Sequence, residues 1–401
     1  MEGALSGIRI LDLTAMVTGP MATQMLGDMG ADVIKVEPPG IGDIMRNLGT
    51  ARGGMSAWFA GVNRSKRSVV LNLKESRGVD LLLRLAAESD VIIQNFRPGV
   101  VERLGIDEKT VRALNKDIIY ISVSAYGDTG PYAGKPAFDL IIQGLTGFAD
   151  IQRDPNGGAP EFVRQAIVDK ITSYIVSQGI LAALFARERG KGAQHVKVSM
   201  VDAAISLVWA ESMGNQAIVE DDLVQSPNIS KAFRVIKTSD GYVASCAVTQ
   251  PQIQGLLKAM GREDLIDDPR FLSIKELLDN IDEFWDELDF KENAPTSSDL
   301  ISRLECEDVP AGVVLNRDEL TSNVHIQHMG IFEEFDHPLV GRMIQARPPI
   351  QFEKTPAAIQ RPAPGLGEHS AEVLRELLGM SDEEIKELVA GGIIQSASNS
   401  P

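Results

Sequence analysis

The sequence predicts an α/β chain: a large doubly wound domain on a mostly parallel sheet, joined to a smaller α+β domain. Three observations carry this. Short apolar runs of strand length alternate with helical runs through the first half of the chain. From about residue 205 the alternation gives way to a hairpin pattern and acidic helices. The 401 residues are also enough for two or three domains and a large buried core.

The run IRILDL (8–13) reads as a short buried strand. Thr18-Gly19-Pro20 then opens a helical pattern from Met21 to Met29, and VIKVE (33–37) is a second strand closed by Pro38-Pro39-Gly40. The alternation continues with a strand at 68–73, a helix at 75–88, a strand at 90–94, a helix at 108–115 and a strand at 117–123. Strand–helix–strand repetition implies a Rossmann-like sheet with helices on both faces and ligand-binding loops gathered at one edge. Residues 233–248 read as a hairpin turning at Asp240-Gly241, followed by helices at 250–260 and 274–290 and a loop at 293–298. Near the end, Ser381 and Glu384 form a capping box opening SDEEIKELVAGG, and the tail QSASNSP is expected to be disordered.

Composition excludes several classes. A net charge of −17 argues against a general nucleic-acid binder, although a polyanionic small molecule needs only a local cluster of cations. Two cysteines, Cys246 and Cys306, cannot build a disulfide framework and read as reduced core residues. The chain starts without a basic-then-apolar leader, and no uncharged run approaches a membrane span, so a soluble cytoplasmic protein is expected. No G-x-G-x-x-G follows the first strand, which leaves a nicotinamide site with little support. His325 and His328, with His337, have a ligand-like spacing but no clustered Cys or acidic partner, so no metal is expected. Phe284 and Trp285 read as core anchors of an acidic helix.

The candidate for chemistry is Asp169, at the mouth of a long apolar helix that ends in a basic, glycine-punctuated turn. One reading is an N-cap accepting backbone N–H bonds. The other is a carboxylate nucleophile, held ionised by the helix end and shielded by apolar surface. Asp139, in PAFDLIIQGLTGF, poses the same choice.

The stretch GILAALFARERGKGAQHVKVSMVDAA resembles the signature of the family III CoA-transferases, the superfamily of formyl-CoA transferase, carnitine CoA-transferase and α-methylacyl-CoA racemase. The resemblance extends over the chain through LSGIRILDLTAMVTGPMATQMLGDMGADVIKVEPPGIGD, NRSKRSVVLNLK, VIIQNFRPGVVERLGI, YISVSAYGDTGPYAGKPAFDL, VPAGVV and RPAPGLGEHSAEVLREL. It implies that Asp169 is the nucleophile forming acyl anhydrides and a CoA thioester, with Asp139 in support. It places Val17, Thr18, Leu71, Asn72, Leu73, Lys74, Asn95, Phe96, Arg97 and Arg103 around coenzyme A, which binds as substrate and not as a tightly held cofactor. It further implies an interlocked homodimer, and a C-terminal segment that returns to the large domain. Domain limits are accordingly drawn at 1–205, 206–325 and 326–401.

Four departures bear on function. Some members carry Arg where this chain has Pro38, so Arg46 or Arg64 is expected to supply that charge. The racemase branch has a His where this chain has Phe138, and phenylalanine can donate no proton, which favours a transferase over a racemase. The segment 213–232 contains only Gly214 where formyl-CoA transferase has a glycine-rich closing loop, and Val17 replaces a Gln; both argue for an acyl pair other than formyl and oxalate. Lys231 and Arg234 hint at a carboxylate-bearing acyl group such as succinyl. A CoA-binding protein with no activity, in which Asp169 is only a cap, is the reading from another class.

Overall fold

The first strands are buried along almost their whole length, so the side chains on both faces of the sheet are covered. The computed structural model describes residues 2–154, 157–220, 222, 229–290 and 293–396. It divides into two units. Met1–Ala149, Phe162–Ser206 and Gly330–Pro401 form the first, and Asp150–Glu161 with Leu207–Met329 the second.

In the first unit, the described residues form a sheet in the order Ile394–Gln395, Lys66–Leu71, Asp32–Glu37, Arg9–Asp12, Val91–Gln94, Ile119–Ser124, His195–Ser199. Every neighbouring pair is parallel except the short C-terminal strand, which runs antiparallel to Lys66–Leu71. Side chains of period two go to opposite faces. Leu11, Ile34, Val69, Leu71, Ile92 and Tyr120 pack under helices 76–87, 370–378 and 382–390, whose Leu82, Leu85, Leu374 and Leu388 close that core. Ile10, Val33, Val91, Ile93, Ile119 and Ile121 pack instead on Ala22 and Leu26 of the helix Thr18–Asp28, and on Val176, Ile180 and Ala183 of the helix Ile167–Ala186.

The chain moves outward from Arg9–Asp12 in one direction, then returns to its other side with Val91–Gln94. The loops leaving these two adjacent strands, 13–17 and 95–99, therefore diverge at the carboxyl edge. That is where a parallel sheet leaves a crevice.

Several sequence expectations are corrected. The first helix begins at Thr18, three residues before the expected start, so Thr18-Gly19 is its first turn. The third strand ends at Leu71, which leaves Leu73 and Lys74 in the following loop. The helix expected over 274–290 breaks at Asn280, whose amide Nδ2 donates to the Glu276 carbonyl (2.8 Å) and separates Ile274–Asp279 from Ile281–Leu288. Cys246 and Cys306 are exposed and not core residues, because one follows a strand end and the other ends a helix. The helical stretch Ile167–Lys191 does reach membrane-spanning length and hydropathy, with 44% of its most apolar window buried. Its Val176–Leu184 face lies on the sheet as a core helix would.

The second unit holds an antiparallel sheet, Val235–Lys237, Tyr242–Ser245 and Ala311–Val313, with helices Gln250–Ala259 and Ser297–Cys306 around Phe271, Phe284 and Leu300. Trp285 packs edge-on against Phe284. Of the segment 213–232, residues 221 and 223–228 lie outside the described residues, as do 397–401 of the tail.

Residues 370–395 thus complete one face of the sheet laid down by residues 9–124. Leu374→Ala, at a side chain with no exposure, is expected to destabilise the first unit by about 2–5 kcal/mol, read as a lower denaturation midpoint by circular dichroism.

Candidate active site

Asp169 is the third residue of the helix Ile167–Ala186, whose N-cap is Ala166. It therefore does not cap its own helix. Its Oδ1 accepts the hydroxyl hydrogen of Thr18, the first residue of the Thr18–Asp28 helix, which packs beside it on the same face of the sheet. Its backbone N–H donates to Asp139 Oδ2 (2.9 Å). Asp139 does not cap its own helix either, since Phe138 is the N-cap there. Instead its carboxylate takes the orphan N–H of a neighbouring helix end on one oxygen and the Gln143 amide on the other (2.5 Å). Gln143, fully buried, also donates to the Gln165 carbonyl (3.0 Å) and accepts from Val163 N (3.0 Å). Asp139 and Gln143 thus fix the chain entering the Asp169 helix.

Burial pushes the Asp169 carboxyl up from 3.8 to about 6; the Thr18 hydrogen bond pulls it down, and the charge of Asp139 adds to the rise. The expected help of the helix end is outweighed by desolvation. At neutral pH the group is still mainly ionised. Hydrogen bonding engages Oδ1 alone among the described residues, so Oδ2 is free for chemistry.

Asp169 and Thr18 open on a cavity of about 380 Å³ lined also by Leu13, Ala15, Met16, Asn95, Phe96, Arg97, Lys135, Phe138 and Met200. Leu13, Ala15 and Phe96 also bound a second cavity of about 580 Å³, lined by Pro38, Pro39, Ile44, Leu71, Asn72, Leu73, Lys74 and Leu104. A carboxylate at one end, an apolar slot at the other and Phe96 between them suit a long thioester with a flat base. A third cavity, about 560 Å³, is also bounded by Phe96, Arg97 and Pro98 but reaches neither Asp169 nor Thr18. Chemistry, not volume, selects the site.

The fold brings Thr18, Asn95, Phe96, Arg97, Asp139 and Asp169 together, and groups Leu71, Asn72, Leu73 and Lys74 in the adjoining cavity. Val17 instead packs toward Met45, Met55 and Phe59. Arg103 is exposed on the short helix Val100–Leu104, outside the walls of both cavities. Arg46 and Arg64 are not free for phosphate. Arg46 forms a buried bidentate pair with Glu37 (2.7 and 2.8 Å) and lies over the Phe59 ring, and Arg64 pairs with Asp28 (2.9 Å). In the second unit, Lys231 and Arg234 both pair with Asp282 (3.3 and 2.5 Å). His337 engages both ring nitrogens, accepting from Leu339 N (3.1 Å) and bonding the Ala363 carbonyl (2.8 Å).

Sequence reasoning missed Lys135, whose ammonium lies 3.9 Å from the Tyr132 ring centre at the mouth of the Asp169 cavity. It also missed a buried charge network beneath the site, formed by Asp12, Lys35, Asp43 and Lys66. The available signal was a charge inside a strand of a sheet covered on both faces, as in IRILDL and VIKVE.

The edge thus holds a recessed carboxylate beside a largely apolar slot. The chain matches CoA-transferase family III over residues 5–370 and belongs to that family. It is 33% identical to the succinate–glutarate CoA-transferase of Agrobacterium fabrum over 384 residues, covering 93% of this chain and 95% of that one. It is 31% identical to a formyl-CoA:oxalate CoA-transferase of Streptomyces avermitilis, covering 98% and 100%. Among solved structures, Rv3272 of Mycobacterium tuberculosis superposes with a TM-score of 0.79 at 30% identity, covering 92% and 99%. The protein is a CoA-transferase.

A raised carboxyl is a cost that folding meets only when the group ionises. Its contribution to stability is whole below pH 3.8 and fades as pH rises through about 6. Relative to wild type, Asp169→Asn is expected to gain stability from pH 4 to pH 7. With roughly 1.4 kcal/mol per pH unit and partial exposure of the site, the gain is about 2 kcal/mol. Urea titrations of both proteins at the two pH values measure it.

Proposed function

We propose that the enzyme moves CoA from an acyl-CoA donor to a carboxylic acid through covalent intermediates on Asp169. The observation that carries this is the placement of Asp169: recessed, hydrogen-bonded on one oxygen by Thr18, and free on the other toward the cavity. Oδ2 adds to the thioester carbonyl, the C–S bond breaks, and CoA leaves as a thiolate, giving an acyl–aspartyl anhydride. The thiolate then attacks the aspartyl carbonyl, releasing the donor acid and leaving an aspartyl-CoA thioester. The acceptor carboxylate displaces the thiolate to form a second anhydride. Thiolate attack on its acyl carbon yields the new acyl-CoA and restores Asp169. Each step exchanges one acyl bond for another with no net oxidation, and covalent catalysis divides a difficult exchange into easier ones.

The N–H groups of Thr18 and Gly19, at the positive end of the Thr18–Asp28 helix, are the oxyanion donors in this reading. Phe96, the Leu71–Lys74 loop and the apolar slot hold the CoA body, and Lys74, Arg97 and Lys135 supply charge for its phosphates. Asp139 is supporting: it holds the backbone of Asp169. With Lys231 and Arg234 paired to Asp282, the support for a dicarboxylate acyl group is the relatives named for succinate and glutarate.

Incubation with succinyl-CoA, glutaryl-CoA, formyl-CoA and oxalyl-CoA, quenched by hydroxylamine or borohydride, is expected to modify the Asp169 peptide alone. Asp169→Asn should lose at least about a thousandfold in turnover while CoA still binds. Labelling elsewhere, or an active Asn variant, would refute the assignment. Because only the ionised carboxyl attacks, donor kcat/KM should fall as pH drops through about 6. Exposed Phe138 lines the cavity and offers no proton; 2-methylacyl-CoA in deuterium oxide should therefore show no α-exchange, and exchange would favour the racemase reading.

A further inference from the structure

The loop between the first strand and Thr18 is held in an unusual way. Backbone groups of three consecutive residues are satisfied by side chains from two strands and two loops. Thr14 N donates to Asp12 Oδ1 (2.9 Å), and the Thr14 carbonyl accepts from Lys35 Nζ (2.8 Å). Ala15 N donates to Asn95 Oδ1 (3.1 Å), and its carbonyl accepts from Asn95 Nδ2 (2.9 Å). Met16 N donates to Asp43 Oδ1 (3.3 Å). Met16 then sits at φ +71°, a left-handed conformation a long side chain adopts only when its surroundings impose it. Two residues later Thr18 donates to Asp169. Gly19 closes the bend, since a Cβ there would lie 2.3 Å from the Thr14 side chain.

Lys35 and Asp43 join the two ends of this bend. They form an ion pair at 3.0 Å, both essentially without exposure. Asp43 also accepts from Met45 N (3.0 Å), and its own N–H donates to Glu37 Oε2 (3.0 Å), the carboxylate that binds Arg46. A buried ion pair gives little net stability over apolar side chains of similar volume. What it gives here is direction: it fixes a carbonyl and an N–H two residues apart in a loop with no strand partner.

We propose that the buried Lys35–Asp43 pair is a positioning device for the acyl transfer, holding the Thr14–Met16 bend so that the Thr18 hydroxyl and the first N–H groups of its helix face Asp169. This rests on Asp169 as the nucleophile. Neither Lys35 nor Asp43 touches the carboxylate; they act through the bend. Asn95 shares the task, because both ends of its amide are engaged with Ala15.

The test uses the full chain with succinyl-CoA and glutarate as assay pair, and the Asp169 carboxyl titration by carbon NMR, taken as the difference from Asp169→Asn, as a readout needing no substrate. Asp43→Ala is expected to lower kcat about 30-fold and to move the titration upward, as Thr18→Val does by removing the hydroxyl. Asp43→Asn keeps an oxygen for Met16 N and should recover most of the loss. The double variant Asp43→Ala/Thr18→Val should fall no more than about twofold below the worse single, because both changes remove the same contact. Lys35→Met/Asp43→Leu, which replaces the pair by apolar groups, carries the same two readouts if Asp43→Ala does not fold. A folded Asp43→Ala with kcat within twofold of wild type and an unmoved titration overturns the proposal. So does a double variant whose loss is the product of the singles. If Asp169→Asn stays active while Asp43→Ala still moves the titration, the nucleophile assignment fails and the positioning role stands.

Discussion

The structure at the carboxyl edge depends on charges buried inside the sheet. Lys66 Nζ, without exposure, donates to Asp12 Oδ2 (3.0 Å), the Pro20 carbonyl (2.8 Å) and Asn63 Oδ1 (2.9 Å). Burial pushes the Asp12 carboxyl up, but Lys66, Lys35 and hydrogen bonds from Thr14 and Thr23 outweigh it and bring it down to about 2. Burial in turn lowers Lys66 to about 8, with Asp12 opposing and Lys35 assisting the fall. The pair is charged at neutral pH. Removing one member of such a pair leaves an uncompensated charge, at a cost of about 3–5 kcal/mol, whereas exchanging both for apolar groups is often neutral. The network therefore makes its strongest contribution as geometry: Lys66 holds the first turn of the Thr18–Asp28 helix, and Lys35 holds the bend before it.

That geometry sets the environment of the two carboxylates. Asp139 and Asp169 differ in what they are given. Asp139 receives a helix N–H and a side-chain amide, which hold its carboxylate in place. Asp169 receives one hydroxyl and a largely dry surrounding, so its basicity rises while one oxygen remains free. Two acids of the same type, at the ends of adjacent helices, are thus given different hydrogen-bond partners: Asp139 is engaged on both oxygens and Asp169 on one.

Cations illustrate where sequence reading stops. Arg46, Arg64, Lys231 and Arg234 look equally available in the sequence, yet each is closed off by a carboxylate. The partners are Glu37, Asp28 and Asp282. Asp28 and Asp282 lie 36 and 48–51 residues from the cations they pair with, and no periodicity links them. Lys135, by contrast, remains at the mouth of the cavity although no pattern singled it out. A charge is free or paired only once distant segments have packed.

The sequence by itself determined the alternation that builds the sheet, the apolar run that makes the Asp169 helix and the acidic residue near the start of that helix. These follow from local physics: period two or 3.6, helix-breaking glycine and proline, and the side-chain types that chemistry requires. Tertiary structure alone decided that Asp169 is met by Thr18 from a helix 151 residues earlier, that Asp139 serves another helix's backbone and that Ile394–Gln395 extends the sheet beside Lys66–Leu71. It also decided how far the Asp169 carboxyl is pushed up by burial. Burial is a property of everything packed around a side chain, and a one-dimensional pattern does not contain it.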